Sequence, residues 1–222
     1  MLMIRIRIIL TLLLSLKLLQ AGAQSFAYPV LSNTVIDFKT AVPANWKIKS
    51  VAQGDLNGDN VADVALVVEY YKAIKEQRPD NVTNLGRPRI LLIWFKEGNG
   101  YRLALQNNTI IMRSGEAGMV NDAFDNLSIA KRILNIDYEF VRSHWYYKYR
   151  YQQNDFYLIG ATLGGVSGNR IEDRDYNFST RKAIFKFDTI DGGKAKTEYK
   201  TIKISKLNSL RETEIPMEWA VN

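Results

Sequence analysis

The chain has no cysteine among its 222 residues. No disulfide can staple the fold, no thiolate can serve as nucleophile or zinc ligand, and no lipid can be attached through a cysteine behind a leader. Histidine is nearly as scarce. His144 is the only one, so histidine-dependent nucleophile chemistry or an imidazole-held metal would have to run through that single ring. It stands beside Trp145 in a strand-like run and reads as a partly exposed strand residue. Proline occurs five times and no Pro/Ser-rich linker divides the chain, which predicts one domain over residues 24–222.

Long apolar runs are missing too, except at the start. Arg5 and Arg7 precede the run Ile8 to Leu16, and Ala21-Gly22-Ala23 follows. That succession of charged, apolar and small residues predicts a secretory signal peptide over residues 1–23, cleaved to leave Gln24 first. Lys17 interrupts a run shorter than the roughly 20 residues a membrane helix needs, so no stable membrane span is expected in the mature chain. Loss of Arg5, Arg7 and Lys17 lowers the formal charge from +7 to +4. The remaining basic residues are scattered among acidic ones, and no nucleic-acid partner is expected. An exported chain without disulfides is expected in the periplasm or the medium of a bacterium.

What the chain does have is one dense acidic stretch, Gly54-Asp55-Leu56-Asn57-Gly58-Asp59-Asn60-Val61-Ala62-Asp63. Side-chain oxygens fall at positions 1, 3, 5 and 9 of a tight loop, and the carbonyl of position 7 can add another. That alternation wraps a hard cation, and the expected ligands for Ca2+ are Asp55, Asn57, Asp59, Asp63 and the main chain of Val61. Without a metal, the same residues would form an Asp/Asn/Gly turn. Position 12 is Leu66 where an EF-hand carries its bidentate Glu, and the flanks are strand-like where an EF-hand has helices.

From Ala52 to Ala65 the chain resembles the Gly-Asp-x-Asn/Asp-Gly-Asp-Gly-x-x-Asp-Leu/Val core of FG-GAP and VCBS repeats. The resemblance covers the calcium loop at residues 52–69 and implies calcium held between adjacent strands by the ligands just named. Asn60 replaces the usual glycine, a residue type that also visits left-handed backbone. No second copy is present, since neither Asp188 to Gly193 nor Asp173 to Asn177 has the required acids and glycine. A single copy does not make a closed propeller.

The rest predicts a mainly β (or α+β) chain of antiparallel hairpins with one short helix. Val64 to Val68 is apolar on both faces, as in a strand covered on both sides. Tyr70 to Gln77 has helical spacing. Arg89 to Phe95 and Tyr101 to Leu105 predict a hairpin, and Arg181 to Phe187 with Lys196 to Ser205 another. Asn107 to Phe124 reads as a long surface loop of the kind that carries binding residues. In His144 to Tyr151, Trp145, Tyr147, Tyr149 and Tyr151 share one face. Such a ladder either stacks on sugars or packs in a core, and packing is the expected role.

Catalytic patterns are thin. Gly164-Gly165-Val166-Ser167-Gly168 lacks the Gly-x-Ser-x-Gly spacing and a following helix, and reads as a flexible loop. Glu172, Asp173 and Asp175 would serve glycoside cleavage only if two carboxyls faced each other across a cleft. The expected function is an exported, calcium-stabilised, non-catalytic binding or scaffold protein whose partner is a surface glycan or an envelope protein. The alternative is a hydrolase of envelope polysaccharide using carboxylates as acid and base.

Overall fold

The computed structural model describes residues 26–77 and 83–213. The predicted leader 1–23 and the tail 216–222 lie outside the described residues. Three antiparallel sheets account for the fold, and none closes into a barrel or propeller. The first runs in the order β1 (Thr34–Val35), β7 (Gly100–Asn107), β6 (Arg89–Glu97), β3 (Asp63–Tyr70), β2 (Trp46–Gly54). A two-stranded ribbon pairs β4 (Ile74–Gln77) with β5 (Thr83–Gly86). The largest sheet has seven strands in reverse chain order: β14 (Lys196–Thr201), β13 (Lys182–Thr189), β12 (Arg170–Asn177), β11 (Asp155–Ser167), β10 (Ser143–Gln152), β9 (Ile133–Glu139), β8 (Phe124–Ala130).

The central strands of the five-stranded sheet, β3 and β6, are dry on both faces. Ala65, Val67, Leu91, Ile93 and Phe95 point toward the seven-stranded sheet, where they meet Leu134, Ile136, Tyr147, Tyr149 and Phe156. Val64, Leu66, Val68, Ile90, Leu92 and Trp94 point the other way and are covered by Tyr28, Leu31, Phe38 and Trp46 of the N-terminal segment. The doubly apolar run Val64 to Val68 therefore lies in the covered, internal strand expected of it. Each such aliphatic residue contributes about 1.5–3 kcal/mol by leaving water, which explains why β3 and β6 tolerate almost no polar residue. The exceptions are paired. Arg89, fully buried, donates to Glu69 at 2.7 and 3.0 Å, to Asp122 at 2.6 and 2.8 Å and to the Met112 carbonyl.

Three local expectations are corrected. The helix expected over 70–77 is a bend followed by strand β4, because Glu76 is drawn to Arg113 and Tyr28 and the ribbon pairs across Ile74↔Gly86. Helix formers such as Lys and Glu are only a weak prior against such contacts. Upstream of β2, Thr34–Val35 is a two-residue strand and Phe38–Ala41 a 3-10 turn capped by Asp37. The presumed surface loop after Asn107 instead dives inward. Ile110, Ile111 and Met112 are buried in the main core, and Asn107 ties the segment down, accepting from the amides of Thr109 and Ile110 while donating to the carbonyls of Leu210 and Thr213. A contiguous apolar triplet carries no period, so periodicity missed it.

The glycine-rich stretch 164–168 is the third. It forms the end of β11 and the turn into β12, with Gly168 at φ +60°. Glycine first in a two-residue turn is a hairpin signal. Both expected hairpins, β6–β7 and β13–β14, are present, the second ending at Thr201. In β10, Tyr147 and Tyr149 are buried in the core between the sheets while Trp145 and Tyr151 pack at its margins. The aromatic ladder is packing on that face.

Candidate functional site

The acidic loop joins β2 to β3 at the rim of the five-stranded sheet. Its shape comes from side chains bonding nearby amides. Asp55 accepts from the amides of Gly58 at 2.6 Å and Asn60 at 3.2 Å, Asn57 Oδ1 from Asp59 at 2.9 Å, and Asp59 Oδ1 from Val61 at 2.8 Å. Gly58 and Asn60 sit at φ +89° and +66°, so the asparagine does take the left-handed conformation anticipated for it. Asp55, Asn57 and Asp59 lie at the surface and the Val61 side chain is exposed.

Asp63 differs from the other four. It is completely buried, and its carboxylate accepts from the amides of Leu56 at 2.8 Å, Asn57 at 3.3 Å and Lys96 at 3.0 Å. Burial pushes this carboxyl above its ordinary value, against the pull of those amides. Among the described residues no three Asp, Glu or His side chains are gathered to hold an ion. The donor set still suits a hard cation. Asp55 and Asp59 each accept at most two hydrogen bonds per carboxylate here, fewer than the roughly four a carboxylate can take. Arg132, from the β8–β9 turn, leans over the loop and donates to the Asn57 carbonyl at 3.3 Å. A side chain at Gly58 would meet its guanidinium at 2.2 Å.

The carboxylates weighed for glycoside cleavage do not form an opposed pair. Alternation along β12 puts Glu172 on one face of the sheet and Asp173 and Asp175 on the other. Glu172 is ion-paired with Arg174, and Asp175 accepts from the Thr162 hydroxyl at 2.9 Å. Asp173 faces His144, whose Nε2 lies 3.7 Å away, and that imidazole stacks on Tyr146 with ring centres 4.7 Å apart. Both meet over Gly164, where a Cβ would come within 2.3 Å of each. His144 is thus a half-exposed strand residue, as the sequence suggested.

Sequence reasoning missed a second feature. On the core-side face of the seven-stranded sheet, past Trp145 and Leu163, an open groove of about 400 Å³ runs over Gly165. Arg142, Arg170 and Arg174 line it, with Glu172 as the lone acid. Two of these guanidiniums lie on aromatic rings, Arg170 over Phe187 at 4.9 Å and Arg174 over Phe185 at 5.2 Å. The spacing Arg170, Glu172, Arg174 at every second residue was the available signal, since on a strand it places all three side chains on one face.

No known protein family matches the chain, and neither curated proteins nor solved structures give a match.

Proposed function

We propose that the protein is an exported, calcium-stabilised binding protein that performs no turnover. The observation that carries this reading is the acidic loop: three surface oxygen-bearing side chains on alternate residues, braced by their own amides, with Asp63 anchoring the loop to β3 and β6. Asp55, Asn57, Asp59, Asp63 and the Val61 carbonyl are the ligands assigned to Ca2+. The ion offsets the mutual repulsion of clustered carboxylates at a junction between two strands. Export to the periplasm or medium is the compartment where millimolar-range sites of this sort are filled. Binding is favoured over hydrolysis because Glu172 points away from Asp173 and Asp175 and is held by Arg174.

Melting the protein in calcium and in excess chelator tests the reading. A ligand at about 100 times its Kd stabilises by about 2.7 kcal/mol, and about 2–4 °C per kcal/mol applies at this size. The expected loss on chelation is therefore about 5–10 °C, and it vanishes in an Asp55→Asn, Asp59→Asn variant. A melting temperature indifferent to calcium overturns the proposal.

A further inference from the structure

Parts of the two surfaces that the sequence offered for a partner are taken up by the fold itself: Ile110 to Met112 are buried, and so are Tyr147 and Tyr149. The arginine-lined groove is a concave surface that lies outside both. We infer that it binds a carboxylate-bearing sugar chain, a polyuronate, with Arg142 and Arg170 as the groups that engage the carboxylates. The inference rests on the binding-protein reading above but not on the calcium ion.

Charge sets the class of ligand. Arg174 is taken up by Glu172, whereas Arg142 donates only a 3.5 Å hydrogen bond to the Gly168 carbonyl and Arg170 rests on the Phe187 ring. Two exposed guanidiniums therefore face the groove with no carboxylate of their own among the described residues, and guanidinium presents a flat fork of donors matched to carboxylate. Stacking on a ring holds such a fork in place without using its donors.

The floor decides between a sugar chain and a peptide. It consists of internal strands whose backbone groups are committed to the ladder, with Ser143 opposite Gly165, Gly165 opposite Glu172 and Glu172 opposite Phe187. An acidic peptide would find no free strand edge to extend, and strand addition is where extended peptides gain much of their affinity. A ring-shaped ligand needs no such edge. Gly165 keeps the floor flat, since a side chain there would meet the Ser143 Cβ at 3.0 Å and the Arg142 carbonyl at 3.1 Å. The volume suits a short oligosaccharide.

Titration calorimetry of the protein with oligogalacturonate, in chelator so that calcium cannot bridge the sugar, provides the test. Binding is expected, to weaken steeply with added salt, and to fall at least tenfold in Arg142→Gln, Arg170→Gln. Lys182→Gln, Lys186→Gln removes the same charge from strand β13 on the opposite face and is expected to change affinity less than twofold. Equal losses in the two variants would reduce the effect to unspecific attraction and overturn the inference. So would the absence of binding at millimolar sugar, or polyglutamate binding as tightly as the uronate. Chelator-sensitive melting can still hold when this titration fails, so the two proposals fall separately.

Discussion

The two large sheets share a core yet live in different surroundings. In β3, seven of eight residues are buried, while in β12 only Tyr176 is. In the five-stranded sheet, β3 and β6 are sandwiched between the partner sheet and the N-terminal segment, so a charge buried there survives only when matched. Arg89 is matched on three sides, by Glu69, Asp122 and the Met112 carbonyl. Along β12 the ion pair of Arg174 with Glu172 stays half in solvent. The same kind of contact is thus a structural necessity in one sheet and a removable detail in the other.

The strongest way to break that contrast is to remove one arginine from each sheet. Arg89→Met leaves Glu69 and Asp122 without their buried partner, and the expected loss is about 3–5 kcal/mol. Arg174→Met is expected to cost less than about 1 kcal/mol. Urea midpoints for the two variants measure the difference, and comparable losses would erase the distinction. The aromatic strand offers a similar comparison within one element. Tyr149→Ala should cost about 3 kcal/mol or more, as other large-to-small core changes do. Tyr146→Ala, on the outer face where its hydroxyl donates to Glu139 at 2.6 Å, should cost about 1 kcal/mol.

Acid sharpens the contrast more gently. Burial would raise the carboxyls of Glu69 and Asp122, but Arg89 outweighs it and both are held below their ordinary values. Groups depressed in this way add stability above their unfolded values of about 4.3 and 3.9. That stability drains away as the pH falls through the lower, folded values. Asp63 is shifted the other way by burial, so its charged form is penalised in the fold and protonation relieves that penalty. A Glu69→Gln, Asp122→Asn variant should therefore show a flatter decline of stability below about pH 4.5, read from urea midpoints against pH. The smallest effect is expected at alkaline pH. Burial pushes the Tyr28 hydroxyl up to about 12, so its stabilising contribution is complete below about 10 and lost as the pH rises to about 12. Fluorescence of Trp46, 6.2 Å from that ring, would follow the release of the N-terminal segment.

Much of this organisation was legible in the sequence. The doubly apolar β3, the hairpins with Gly98 and Gly192 in their turns, and the Asx-braced loop all follow from local chemistry. The short helix failed because residues 74–77 form a ribbon strand held by Arg113, 36 or more positions away, a partner no local window contains. The loop after Asn107 failed because its anchor residues Leu210 and Thr213 lie about a hundred positions downstream. In the acidic loop, spacing could place five oxygens near one another but could not foresee that Asp63 would spend its carboxylate on amides from both β6 and the loop. The groove escaped because it depends on which part of a sheet its neighbour leaves uncovered.

The arrangement of edges has one further consequence. β2 ends the five-stranded sheet and β8 the seven-stranded one, yet the two meet at a corner where Gly54 packs against Ile129. Among the described residues, the other edges of these two sheets are the two-residue β1 and β14, where Glu198 pairs with both Lys196 and Lys200. A stranger strand approaching either rim finds too little backbone or a strand lined with charged side chains. Fibre-like growth, the standing hazard of so strand-rich a chain, is thereby resisted at both ends of the molecule.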